Sequence, residues 1–377
     1  MSNEAWGEPP QDSSTFASVS VDPRGIHRFW VDNYVKRFIP QGGSKVKWIQ
    51  GSAGSGKSHA LLQLAQNARA DGMLVVEMDA HKVWLRGIHE FVRAVLQGLP
   101  YQEILERLGE HVIENMGYQP DDIPAGTFFS RWLVESHGRL PARAHSDIHE
   151  AVDRMIGPLD MDLNLKIALG FGVDRVLGAL EGDSADLDGW FRGDKVTRGR
   201  LASLGLSTPL SKLNARAVLQ GWGVAALKAG FAGLLITVDG FEQVIAPKTD
   251  DAPYYTRLRR EETYEMVRQF IDDGDSLAGV WMVFSATKEL FDDDRRGFKS
   301  YPALAARVHN DVRTRQFNRF QDLLDWDRLW DDAALLEELV SRWAEVRNLP
   351  PVSPAAPAGM VSPVRRSVLA LRGEGAL

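Results

Sequence analysis

The chain of 377 residues has no cysteine. Disulfides and thiolate zinc sites are therefore excluded, and a reducing compartment fits. No run of about 18 apolar residues occurs, so no membrane-spanning helix is expected. The richest apolar segment, residues 230–238, is short enough for a buried strand. The opening Met1-Ser-Asn-Glu-Ala-Trp6 has neither a basic start nor an apolar stretch, so no secretory signal is expected and a cytoplasmic location is. An excess of positive charge is also missing: 44 basic side chains stand against 51 acidic ones, a formal charge of −7. That balance argues against bulk nucleic-acid binding by charge and leaves any DNA contact to a local patch. The nine histidines show no paired metal-ligand spacing, and no internal repeat is evident.

What is present is a globular composition, 44% apolar. Residues 1–22 are polar and read as a flexible N-terminal tail. Ile26, Phe29, Trp30, Tyr34, Phe38 and Ile39 recur at helical spacing and predict a helix over 24–39. Residues 45–50 read as a strand, followed by a Gly-rich loop, a helix over 57–70 ended by Asp71-Gly72, and a second strand over 73–79. This order predicts a parallel sheet with right-handed crossovers. Residues 84–230 read as a helical insertion, weakly patterned between 120 and 210. Gly233 to Val238 is a continuous apolar run ending in Asp239, the pattern of a strand buried on both faces, and Val280 to Ser285 is another. Charged and amphipathic helices are expected over 254–272 and 331–347. Together these define a P-loop domain over 23–320, a helical lid-like segment over 321–348, a Pro-rich linker over 349–363 and a short basic segment over 364–377. Most of the eleven tryptophans sit on apolar faces and are assigned to the core.

The segment Gly51-Ser52-Ala53-Gly54-Ser55-Gly56-Lys57-Ser58 fits G-x-x-x-x-G-K-[ST] without mismatch. Glycines let the backbone turn so that successive N–H groups face phosphate oxygens, and the following helix adds its positive end. Lys57 is expected on the β- and γ-phosphates and the Ser58 hydroxyl on Mg²⁺. His59, directly after, is counted with the nucleotide-binding residues. A second carboxylate for the Mg²⁺ shell should end another buried strand, and Asp239 is that candidate. Hydrolysis needs a group to orient water. Many such ATPases place Glu directly after the Asp, where this chain has Gly240; Glu242 is the nearest carboxylate beyond it. Ser285 and Thr287, at the end of a neighbouring strand, are candidates to sense the γ-phosphate. Arg307 is a candidate to reach a neighbouring subunit's nucleotide, and Arg365 and Arg366 to touch phosphates from a lid. No N-K-x-D guanine motif is present, so ATP is expected rather than GTP.

This order of P-loop, Asp-ending strand, polar-ended strand and Arg-bearing helix resembles AAA+-type ATPases, which implies a three-layer α/β sandwich. More specifically, the chain resembles the ATP-binding proteins of BREX-type phage-resistance systems, the BrxC/BrxD-like P-loop family. The resemblance rests on Trp48 to His59, Leu187-Asp-Gly-Trp-Phe-Arg-Gly193, Ala229 to Asp239, Phe284-Ser-Ala-Thr-Lys-Glu-Leu-Phe291 and Arg296-Gly-Phe-Lys-Ser-Tyr-Pro-Ala-Leu-Ala-Ala-Arg307. It implies a role in host defence, with protein partners from the same system and a homo-oligomer as one arrangement. Ser362-Pro-Val-Arg-Arg-Ser is similar to the family's Pro-Arg lid segment. Two readings follow: an ATPase that couples hydrolysis to assembly or partner remodelling, or an ATP-dependent binding switch with little or no hydrolysis.

Overall fold

A computed structural model describes residues 13–180, 185–308 and 317–348, together with 362, 364 and 368. Five parallel strands form one sheet: β1 (Lys45–Gln50), β2 (Leu74–Asp79), β3 (Leu234–Asp239), β4 (Val280–Ala286) and β5 (Leu323–Asp325), in the spatial order β2-β3-β4-β1-β5. From β1 the chain crosses to the far edge at β2, returns through β3 and β4, then passes over β1 to β5.

The sheet has a core on each face, which explains its apolar runs. Trp48, Leu234, Ile236, Val238, Met282 and Phe284 point to one side, under the helical insertion. Ile49, Leu235, Trp281 and Val283 point to the other, under the helix Lys57–Ala70. Strand alternation thus divides neighbouring residues between two layers of helix. The resulting arrangement is an α/β fold with a parallel sheet covered on both faces. Trp48 stacks on Phe284 at 4.5 Å and meets Phe241, Phe291 and Phe298 edge-on.

Among the described residues, eight α-helices lie between β2 and β3, from Gly87–Gly98 to Ala215–Lys228. The sequence box at Leu187–Gly193 belongs to this packing. Phe191 is fully buried against Tyr101 and Trp222, and Trp190 donates from its indole to the Thr208 carbonyl at 3.2 Å. Phe298, in the later box, closes over Trp48 in the same core.

Three local expectations change. Residues 13–19, assigned to a tail, form a helix, because Phe16, Val19 and the following Val21 find cover beside the helix Ala333–Arg347. The predicted helix over 24–39 is divided into α-helix Ile26–Trp30 and π-helix Val31–Phe38. The boundary expected at residue 320 falls ahead of β5, a strand of the sheet itself, in which Leu324 pairs in register with Ile49. The expected linker and basic segment, with Arg365 and Arg366, lie outside the described residues apart from 362, 364 and 368. Among the described residues no helix is long and apolar enough to cross a membrane.

Candidate functional site

In a parallel sheet, every strand delivers its last residue to the same edge. In this sheet Gln50 is level with Ala286 and Asp325, and Asp239 is level with Asp79. The turn after β1 is therefore surrounded by the ends of β4, β3 and β5. Such carboxyl-end crevices are where open α/β sheets bind ligands.

Residues 51–56 make that turn. Gly54 and Gly56 have φ of 75° and 92°, backbone that a side chain would strain. Gly51 is tight for another reason: a Cβ there would lie 2.6 Å from the Ser55 Oγ. The Gly51 N–H donates to the Ala286 carbonyl at 3.2 Å, which fixes the loop to β4. Ser55 is fully buried, and its hydroxyl has no partner among the described residues. Ala53 is exposed, and Ser58 is partly exposed on the first turn of the helix Lys57–Ala70.

Lys57 is buried and folds back on its own loop, donating to the Gly51 carbonyl at 3.0 Å and the Ser52 carbonyl at 2.9 Å. Burial lowers its pKa, while Glu242, Asp239, Asp327 and Glu289 pull it back up. These carboxylates are the negative surroundings of one desolvated ammonium. A triphosphate would take over their role at much closer range.

Asp239 stands at the end of β3, and one of its carboxylate oxygens accepts the hydroxyl of Ser285, a fully buried residue near the end of β4. Ser285 Oγ also accepts the Gly240 N–H at 3.2 Å. The two predicted strand-end residues are thus brought together, with the hydroxyl orienting the carboxylate. The Ser58 hydroxyl and the Asp239 carboxylate would be oxygen donors of the kind that suits Mg²⁺, which takes few protein ligands and keeps several waters.

Gly240 adopts φ 67°, and a Cβ there would come within 2.4 Å of the His81 ring. A side chain there would meet left-handed backbone strain and would require the half-exposed His81 ring to move, so the Asp-Glu pattern fits poorly at this turn. Glu242, in the short helix Phe241–Ile245, comes in instead: its carboxylate accepts the Thr287 N–H at 3.2 Å. Burial raises its pKa, and Asp239 adds to this, while its own N–H, Lys57 and the Thr287 N–H oppose. Glu242, Lys57 and Asp239 are therefore one electrostatic group. Thr287 contributes its backbone N–H to it.

Other predicted residues are placed differently. Arg307 lies on the helix Pro302–Val308, paired with Asp272 and donating to the Ala303 carbonyl at 2.6 Å. His59 turns from the loop toward the first helix: it stacks on Phe16 at 4.2 Å and its Nε2 lies 2.8 Å from the Ser20 hydroxyl. Burial pushes its pKa down to about 4. Burial alone pushes the fully enclosed His27 to about 3, edge-on to Trp30 and Trp326, with neither ring nitrogen partnered among the described residues. Both rings are neutral in the fold, whereas the unfolded chain protonates near 6.5. Their contribution to stability is complete above about pH 6.5 and is lost as pH falls toward 4, because the unfolded state then binds more protons. Replacing His27 by phenylalanine should raise the melting temperature at pH 5 more than at pH 8, by a few degrees, since the depressed pKa is worth about 2 kcal/mol at pH 5 and each kcal/mol moves a chain of this length by roughly 1–2 °C. Melts followed by circular dichroism at the two pH values check this.

Residues beyond the sequence reading complete the site. Asp327, just after β5, accepts the Ser52 N–H with both carboxylate oxygens, at 3.1 and 3.0 Å, and the Ser52 hydroxyl at 2.9 Å. Lys288, next to Thr287, pairs with Asp327 at 2.7 Å and Asp325 at 3.3 Å. Beside the loop lies a narrow, partly open cavity of about 60 Å³, with Gly54 and Gly56 on one wall and Trp326, Trp330, Trp343 and Val364 among the others. Its tryptophans, widely separated from the loop in sequence, gave no local signal.

A glycine-rich turn with a lysine, at the carboxyl edge of a parallel sheet and facing an Asp-ending strand, defines the P-loop-like class of α/β proteins. Within that class, residues 144–329 match the family described as BREX system ATP-binding protein BrxC/D. The resemblance read from the sequence is borne out over that span, which begins inside the helical insertion and ends just past Asp327, without the phosphate loop. No curated protein and no solved structure matches the chain.

Proposed function

We propose that this chain binds Mg²⁺-ATP at the loop 51–58 and acts in a phage-defence system of the BREX type. The observation that carries the reading is the convergence on Lys57: a buried ammonium, a turn with two positive-φ glycines, and the Asp239–Ser285 pair at the adjoining strand ends. The matching family's description as ATP-binding supports it. ATP would set its phosphates on the loop. Its base would lie against the tryptophan-lined cavity, whose lining is apolar and aromatic and which would have to widen to admit it. Ser58 and Asp239 would hold Mg²⁺, which supplies charge neutralisation at the phosphates when bound.

As an ATPase of AAA+-like type, the chain would use Glu242 to orient water and couple turnover to assembly or to remodelling of a partner protein from the same system. One observation favours the binding-switch reading instead: the crowded Gly240, which leaves the position after Asp239 without a carboxylate. Titration of ATP with magnesium by calorimetry tests the shared claim. Saturable heat at one site per chain is expected, and its absence on folded protein sinks both readings. Replacing Trp343 by alanine should weaken ATP about tenfold, the size of one base–aromatic stack, while leaving inorganic triphosphate binding unchanged. Competition of the two ligands for the same protein checks it.

A further inference from the structure

The phosphate loop is held from outside by a side chain that is neither a phosphate ligand nor a metal ligand. Asp327 closes three hydrogen bonds on Ser52, the second residue of the loop. Lys288 neutralises Asp327 from the opposite side, at 2.7 Å. Lys288 directly follows Thr287, whose N–H is the donor to Glu242 at 3.2 Å. Lys57, in turn, rests on the carbonyls of Gly51 and Ser52. A continuous polar path therefore runs from Glu242 through the Thr287-Lys288 backbone and Asp327 to the loop that carries Lys57.

We propose that Asp327 is a positioning residue for the phosphate loop, and that Lys288 couples it to the Glu242 end of the site. The inference deepens the ATP-binding reading and rests on it. The physical case concerns preorganisation. When Lys57 leaves the Gly51 and Ser52 carbonyls for a phosphate, those contacts no longer brace the start of the loop. The Asp327 contacts go to the Ser52 N–H and hydroxyl, so they persist through that exchange. A loop already fixed in its binding shape loses less entropy when it closes on the ligand. Lys288 keeps the carboxylate from opposing the incoming triphosphate, since Lys288 and Arg328 together balance Asp325 and Asp327. Asp325, level with Gln50 in the sheet, holds the Lys288 ammonium from a second side.

The test is a double-mutant cycle in ATP affinity, measured by calorimetry with magnesium on the full chain. Asp327→Ala is expected to weaken ATP about tenfold, in the range for a lost hydrogen-bonded charge contact. Lys288→Ala should weaken it several-fold and Lys288→Arg should restore most of that loss, which a mere change in packing would not predict. In the double variant the two losses should fall clearly short of additive. Ser52→Ala, which removes only the hydroxyl contact, provides a milder variant should Asp327→Ala fail to fold, and is expected to weaken ATP a few-fold. Wild-type affinity in a folded Asp327→Ala or Ser52→Ala protein overturns the positioning role. Additive losses overturn the coupling through Lys288. If the unmutated chain itself gives no heat with ATP, the reading of the whole site falls, and Asp327 with it; the two failures differ in which protein is silent.

Discussion

Replacement of Lys57 by alanine is expected to lower ATP affinity by at least about a hundredfold, to the point where calorimetry detects no binding. The size follows from two terms. The variant loses a charge-assisted contact to the β- and γ-phosphates, worth about 1.5–3 kcal/mol. It also leaves Glu242, Asp239 and Asp327 without the ammonium that they surround, so the triphosphate would meet uncompensated negative charge. The fold should survive. Lys57 is desolvated at a cost that its carboxylate neighbours only partly return, as its lowered pKa records, and alanine is a good helix former at the first position of the helix Lys57–Ala70. A variant that melts like the parent yet binds ATP equally well would remove the ammonium from the account of the site.

The second large effect concerns turnover. If the chain hydrolyses ATP, Glu242→Gln should reduce the rate by about a hundredfold or more while leaving ATP affinity within a few-fold, since general-base contributions are typically 10²–10⁴. Glutamine keeps the shape and an oxygen to accept the Thr287 N–H, so the short helix Phe241–Ile245 should hold. What it loses is the ability to take a proton. Burial raises the Glu242 pKa, which makes the carboxylate a stronger base than an exposed one, and the same shift should make hydrolysis fall off on the acid side at a pH above the ordinary glutamate range. Steady-state phosphate release across pH, for parent and variant, reads both effects. An unchanged rate in the variant would dismiss Glu242 as the water-orienting group. A parent that binds ATP without measurable turnover, in the presence of its partners, would favour the switch reading.

How much of this could be read from the sequence depended on where each signal resides. Strands β3 and β4 were legible because burial on both faces leaves continuous apolar runs, β1 and β2 because they flank a Gly-rich loop and a helix, and the loop because its chemistry needs fixed residues at fixed spacing within one short segment. β5 was not: three residues with a single buried leucine, Leu324, carry no periodicity. The helix Ser13–Val19 was hidden by a polar composition in which Phe16 and Val19 are its deeply buried apolar anchors, and its stability comes from the elements it packs against. Asp239 and Ser285 could be paired in advance because both end buried strands. Asp327 could not, since Asp325, Asp331 and Asp332 crowd the same stretch and nothing local distinguishes the one that reaches Ser52. The departure at Gly240 was visible as a missing carboxylate, but the His81 ring beside that position comes into view only once β2 and β3 lie side by side.

The tryptophan-lined cavity has a consequence for how the molecule is held together. Val19 and Val21 come to it from one extremity of the described chain, and Trp343, Val364 and Val368 from the other, with the phosphate loop between them. A guest seated there would act as a clasp: it would fasten the two extremities to each other and to the sheet, and its departure would loosen all three at once. The packing of these two segments, already close without a guest, would then be tightened by what the cavity contains.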